Sequence, residues 1–275
     1  MNLIPLLLFT ASVFAGVSGR DDRVEARAPE APALYQELAR SVPAIVENKM
    51  LKAVGDGFVP DGYSMERMNF CPGVRFSGQT YLARCSASLI GEDLILTAGH
   101  CVDDDLRAWC QNYSIVFDYA VGEGDTRIAK ENVFACREVI YRQFVGAFDE
   151  DLALVKLTRK VPGRTPVTVA RTPLKIADPL FMIGYPLGLP QKVVDDGSVL
   201  QFGPSKYSFR HKLDTFSSNS GGPLFNFRGE QVGVLVRGTG PNQEPVPGKK
   251  CFDWGRDKES DYAEANSLLH LNLTQ

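Results

Sequence analysis

Thr97-Ala98-Gly99-His100-Cys101 and, about 120 residues further on, Ser217-Ser218-Asn219-Ser220-Gly221-Gly222-Pro223 place an imidazole and a hydroxyl where each could do chemistry. Ser220 is followed by two glycines, which lack a Cβ and let the chain turn tightly. A hydroxyl and neighbouring backbone N–H groups can then point at one spot, the geometry that stabilises an oxyanion. His100 ends the apolar run Leu94-Ile95-Leu96-Thr97-Ala98, which reads as a buried strand that carries the ring to its end. Together the two segments offer a nucleophile and a general base. Each also has a plainer reading. Serine, glycine and proline make turns everywhere, and a histidine beside a cysteine can be structural.

A base needs an orienting carboxylate. Asp151 directly precedes Leu152-Ala153-Leu154-Val155-Lys156-Leu157, a run expected to form a strand buried on both faces. Asp149 and Glu150 are its neighbours and could equally be ordinary strand-end acids; the choice of Asp151 rests on its place against the apolar run. A carboxylate at the histidine Nδ1–H fixes the tautomer and stabilises the imidazolium formed during proton transfer.

The order His100, Asp151, Ser220, within TAGHC, DLALVKL and NSGGPLFN, resembles the chymotrypsin-like, or trypsin-like, serine peptidases, especially their bacterial trypsin-like and glutamyl-endopeptidase branch. The resemblance spans most of residues 71 to 240. It implies an all-β fold of two six-stranded antiparallel β-barrels with the active site in the cleft between them. It also implies peptide hydrolysis through an acyl-enzyme, with an oxyanion hole made by the N–H groups of Ser218 and Ser220. The family more often has glycine at the position of Ser218, because a Cβ restricts the positive φ that glycine permits.

For specificity, Asp214 matches the trypsin position at the bottom of the S1 pocket, where a carboxylate favours Lys or Arg at P1. Thr215 matches a threonine of glutamyl endopeptidases. Leu235 stands where those enzymes carry a histidine, so an acidic P1 would lose its main partner. Val236, Arg237 and Gly238 continue the strand expected to bind substrate, and Arg237 replaces a tryptophan common in animal relatives. Asp214 could also merely cap a turn. Asn219 occupies the place where animal trypsins have the carboxylate that pairs with a new N-terminal amine. The chain also lacks an Ile-Val-Gly-Gly start, so the oxyanion loop is expected to assemble without that switch.

Residues 1–19 read as a signal peptide: the stretch is apolar through Leu3-Ile4-Pro5-Leu6-Leu7-Leu8-Phe9, then small, with cleavage expected after Ala15 or Gly19. Residues 20–65 read as a linker or pro-segment, charged and Ala/Pro-rich at first. Leu34, Leu38, Val42 and Ile45 then recur at helical spacing until Pro43 interrupts, so a short helix is expected. Residues 66–275 form the expected peptidase domain. Short runs such as Val167-Thr168-Val169, Leu180-Phe181-Met182-Ile183 and Gln231-Val232-Gly233-Val234-Leu235-Val236, separated by turn residues, suit an all-β chain.

Composition narrows the rest. A net charge of −3 over 275 residues, with no basic cluster, argues against a nucleic-acid partner. The expected product is a secreted, monomeric protein, extracellular or periplasmic, acting on polypeptides and released from the membrane after signal cleavage. Six cysteines without metal-ligand spacing point to disulfides in an oxidising compartment, with no metal and no cofactor. The family resemblance supports Cys85 with Cys101. Cys110 with Cys136 is then a reasonable local pair, leaving Cys71 with Cys251. The run Asp103-Asp104-Asp105 reads as a solvated charge cluster before it reads as a calcium loop.

Two competing classes remain at this level. A weak or inactive homologue could bind a protein through the same cleft. An esterase of the α/β-hydrolase type would need a Gly-x-Ser-x-Gly elbow and the order Ser, Asp, His, which this chain does not have. HtrA-like peptidases share Asn-Ser-Gly-Gly-Pro-Leu, but only about 35 residues follow Gly240 for a peptide-binding module.

Overall fold

The computed structural model describes residues 16–121, 127–144, 150–203 and 207–271. Most of the expected signal segment, and Asp149, lie outside them. The chain's regular structure is mostly strand, and most of the strands form two rings.

The first ring pairs, in order, Cys85–Ser86, Ala44–Glu47, Tyr113–Val116, Val133–Phe144, Asp151–Leu157, Leu94–Thr97 and Ser88–Gly91. The first and last members are two halves of one run interrupted at Ala87, so six strands nearly close. The second ring pairs Lys192–Phe202, Pro179–Gly184, Pro223–Phe225, Gln231–Gly238, Ala263–Ser267 and Ser208–His211. The last strand pairs back with the first and closes six strands. This is the two-barrel architecture of the chymotrypsin-like peptidases. The expected runs sit where the sequence puts them: 94–97, 151–157, 179–184 and 231–238 are all strands. Closure of the second ring removes its sheet edges, and each barrel fills its interior with alternate side chains.

Val167-Thr168-Val169 is not a regular strand. Pro166 and Pro173 flank it and supply no N–H, and its few bonds tie the barrels together instead. Val167 N donates to Leu89 O at 2.8 Å on one side, and Gln231 N donates to Thr168 O at 2.8 Å on the other.

The expected short helix is Ala33–Ala39, ending before Pro43. The rest of the segment is no linker. Ala44–Glu47 is a strand of the first barrel, with Ile45 and Val46 wholly buried, so the barrel begins upstream of residue 66. Upstream again, residues 16–27 lie along the second barrel. Val24 and Glu25 pair with Val193 and Lys192. Arg23 is completely buried, its guanidinium 3.9 Å from the centre of the Trp254 ring and 4.4 Å from that of Phe216, with Asp21 as its ion partner. A buried arginine is tolerated when paired and stacked, and its charge is what made the segment look solvated in sequence.

All three expected disulfides form: Cys85–Cys101, Cys110–Cys136 and Cys71–Cys251. The acidic run is occupied by protein partners. Asp103 pairs with Arg84, Asp104 pairs with Arg142, and Asp105 caps the helix Leu106–Asn112 through Ala108 N.

Candidate active site

His100 lies in a single 3-10 turn, Gly99–Cys101, directly after the strand that delivers it. Three groups fix that turn. Cys101 is bridged to Cys85, Trp109 Nε1 donates to Cys101 O at 2.9 Å, and Arg142 Nε donates to Gly99 O and Val102 O at 3.0 and 2.8 Å. Gly99 itself is obligatory, because a Cβ there would run into the carbonyl of Gln143.

Asp151 opens the adjacent strand and is 3% exposed. Its Oδ1 accepts His100 N–H at 2.8 Å, and its Oδ2 lies 2.7 Å from His100 Nδ1. Asp151 N–H in turn donates to Asn266 Oδ1 at 2.6 Å, so the carboxylate is anchored in the first barrel and braced from the second. A carboxylate held at two points allows one tautomer of the ring, with the proton on Nδ1 and the lone pair of Nε2 free to accept.

The loop around Ser220 follows the same logic. Ser86 N donates to Ser220 O at 2.8 Å and Ser86 Oγ to Ser218 O at 2.8 Å, while Gly221 N donates to Leu235 O at 2.8 Å. Asn219 serves its own turn: its Oδ1 accepts Phe216 N–H at 3.1 Å. The Ser220 carbonyl also receives a weak contact from Cys101 Sγ at 3.6 Å, which sets Ser220 next to the turn of His100. Among the described residues no hydrogen bond joins His100 to Ser220. In free enzymes that bond is often long and tightens on substrate.

Ser218 has φ of +69°, the left-handed conformation that glycine adopts without cost. Its strain is held by the bond from Ser86 and by Asn242, which exchanges two hydrogen bonds with Ser217 at 2.9 and 2.8 Å. Ser218→Gly is therefore expected to stabilise the fold by about 1 kcal/mol in urea unfolding, with kcat/KM unchanged or higher. A loss of stability would show that the serine side chain contributes more than the strain costs.

The pocket residues are placed less simply. Asp214 is 3% exposed, and its two oxygens accept the N–H groups of Ser18 at 2.7 Å and Asp22 at 3.2 Å. Burial, with the Asp22 carboxyl beside it, pushes its pKa up to about 8. Thr215 is buried, and its Oγ1 has no hydrogen-bond partner among the described residues.

Leu235 differs from its expected role. Its side chain packs in the second barrel, and its backbone N–H and C=O are committed to Gly222 and Gly221. It buttresses the loop around Ser220 and does not line an open groove. Val236 is likewise buried. Arg237 turns toward the buried Glu264, Nε to Oε1 3.9 Å, and Gly238 pairs with Ala263.

Cys85, His100 and Cys101 stand close enough together to suggest a metal site, but both sulfurs are in one disulfide and offer no thiolate. Asn266 and Arg142, which position Asp151 and the His100 turn, carry no motif and are invisible without the fold. His211 is wholly buried, and burial lowers its pKa to about 3, so it is a neutral core residue. Among the described residues no helix is long and apolar enough to cross a membrane.

Residues 85–234 match the family model described as a trypsin-like peptidase domain. The chain is 27% identical over 162 residues to Protease Do-like 2, chloroplastic, of Arabidopsis thaliana, covering 55% of this chain and 23% of that protein. It thus spans less than a quarter of that relative's length. In structure it is similar to a Glu endopeptidase solved in complex with MPD, at 15% identity and a TM-score of 0.54, over 91% of this chain and 93% of the other. It is also similar to neuropsin, a serine protease expressed in the limbic system of mouse brain, at 14% identity and a TM-score of 0.53, over 87% and 93%. These two likenesses bear on the fold.

Proposed function

The chain belongs to the trypsin-like peptidase family; from that premise we propose that it is an exported serine-type endopeptidase that cuts polypeptides by way of Ser220, His100 and Asp151. The observation that carries this reading is the two-point grip of Asp151 on His100, at the backbone N and at Nδ1. Ser220 Oγ attacks the scissile carbonyl while His100 Nε2 takes its proton. The tetrahedral oxyanion is received by the N–H groups of Ser218 and Ser220. The imidazolium then protonates the leaving amine, and water repeats the sequence on the acyl-enzyme. Three disulfides and the apolar leader support export to an oxidising compartment.

Asp214 supports a preference for Lys or Arg at P1, which requires the Ser18 and Asp22 N–H groups to release its oxygens to the substrate. Because its pKa is raised, it carries a proton at neutral pH and gains charge as pH rises. Discrimination of Lys and Arg over a neutral P1 residue should therefore grow between about pH 6 and pH 9, and Asp214→Asn should flatten that rise. The test maps the bonds cut in a denatured protein across that range, beside Ser220→Ala. Cuts that ignore basic residues at every pH would discard the P1 assignment and leave the catalytic one. Cutting that survives Ser220→Ala would overturn the catalytic assignment.

A further inference from the structure

Gly16 is buried in the strap along the second barrel, and its surroundings offer acceptors to a cation. Its backbone N lies 2.7 Å from Asp257 Oδ1. A Cβ on residue 16 would meet Asp257 Oδ1 at 2.8 Å, the Gly255 carbonyl at 2.8 Å and the Pro241 carbonyl at 3.0 Å, so three acceptors close around a residue that has to be glycine. Asp257 has no arginine or lysine within salt-bridge distance among the described residues. Burial raises its pKa, the Gly16 N–H bond lowers it in part, Asp261 raises it further and Lys212 acts against that. A half-buried carboxylate facing a backbone nitrogen, with no cation of its own, is an incomplete site.

We propose that the chain is matured between Ala15 and Gly16, and that the new Gly16 ammonium pairs with Asp257 and thereby sets the oxyanion loop. Hydrolysis by an export peptidase puts the hydroxyl of water on the Ala15 carbonyl carbon and a proton on the Gly16 nitrogen. A further proton from solvent makes the ammonium. The nitrogen changes from a neutral donor to a cation with little change of place.

The competing cleavage, after Gly19, would remove Val17, which is 1% exposed and packs with Met65, Phe70, Leu187, Leu189, Phe216 and Trp254. It would also remove the Ser18 N–H from Asp214.

The route to the nucleophile loop is short and made of hydrogen bonds. Val17 N donates to Gly255 O at 2.8 Å, Asp257 N to Val17 O at 2.8 Å, and Gly255 N to Asn242 O at 3.1 Å. Asn242 then holds Ser217 by two hydrogen bonds, next to the strained Ser218. Asn219 supplies no carboxylate beside the nucleophile. The charge that orders this loop comes instead from the far side of the strap, through residues 240–242.

This inference rests on the peptidase reading for its catalytic consequence and is tested so that the two can fail separately. The protein secreted by an exporting host is sequenced from its N-terminus; Gly16 is expected, and Arg20 would overturn the proposal. Chains beginning at Gly16 or retaining Ala15 are then compared, each with Asp257 and with Asp257→Asn. Retaining Ala15 should lower kcat/KM on the order of tenfold, and lower the Tm, with Asp257 present, and should do neither in Asp257→Asn. Equal losses in both backgrounds would overturn it. Tm reads the ion pair even if no turnover is found, so a dead enzyme would sink the peptidase reading alone. A third measurement needs no variant: the native Gly16 amine should react with an amine-directed ester at least about tenfold more slowly than in denatured protein. Equal rates would overturn the proposal.

Discussion

Ser220→Ala is expected to lower kcat by about 10⁶-fold, and His100→Ala by a similar factor, with the double variant no worse than either alone. The non-additivity is the informative part. A nucleophile without its base, and a base without its nucleophile, both leave only the oxyanion donors and substrate binding at work. Asp151→Asn should cost about 10⁴-fold, for a reason the hydrogen bonds make specific. Oδ1 of the carboxylate accepts the His100 backbone N–H, so an asparagine oxygen must stay there, which puts the amide NH₂ opposite Nδ1. Nδ1 then becomes an acceptor and the ring proton moves to Nε2, where it blocks uptake of the serine proton. Burst kinetics with an activated ester, together with unfolding curves, separate chemistry from folding. Activity in Ser220→Ala near that of the parent chain would end the assignment.

Gly221→Ala should be as damaging, through the backbone. Gly221 has φ of +82°, and a Cβ there would overlap Thr97 Oγ1 and the Ser86 carbonyl and meet Ala98 N at 3.0 Å. Those first two groups are hydrogen-bonded to one another at 2.8 Å in the buried seam between the strands 85–91 and 94–97. The methyl group must break that bond as well as bear the positive φ, so a loss of about 3–5 kcal/mol is expected, with activity lost alongside it. Gly229→Ala is the control. Its φ is +80°, but the nearest group is a leucine methyl at 3.0 Å, so about 1 kcal/mol is expected. Equal losses at the two positions in chemical denaturation would show that steric overlap at Gly221 is not the cause.

The parts legible in the sequence are those in which chemistry and local pattern coincide. His100, Asp151 and Ser220 each sit at the end of an apolar run or in a turn, and the structure places His100 and Ser220 in turns and Asp151 at the start of its strand. The strands 151–157 and 231–238 are apolar enough to be read without help. Other parts answer to distant partners. Arg23 looks solvated until Phe216 and Trp254, far along the chain, are seen stacked around it. Asn266 is one polar residue in the strand Ala263–Ser267 and becomes informative only when the two barrels bring it to Asp151. Leu235 is readable as a pocket residue because position alone suggests it. Its role as a buttress depends on which neighbours take its backbone groups, and no local pattern records that.

The first barrel's near-closure has a dynamic consequence. Its ring is interrupted at Ala87, and the residue beside that gap, Ser86, holds Ser220 O through its N–H, Ser218 O through its hydroxyl and Thr97 through its carbonyl. Any breathing of the ring at this gap releases the Ser220 carbonyl in the same motion. The amide of Ser86 cannot exchange its hydrogen with solvent unless that carbonyl has been let go. One backbone proton thus reports how often the catalytic loop comes undone.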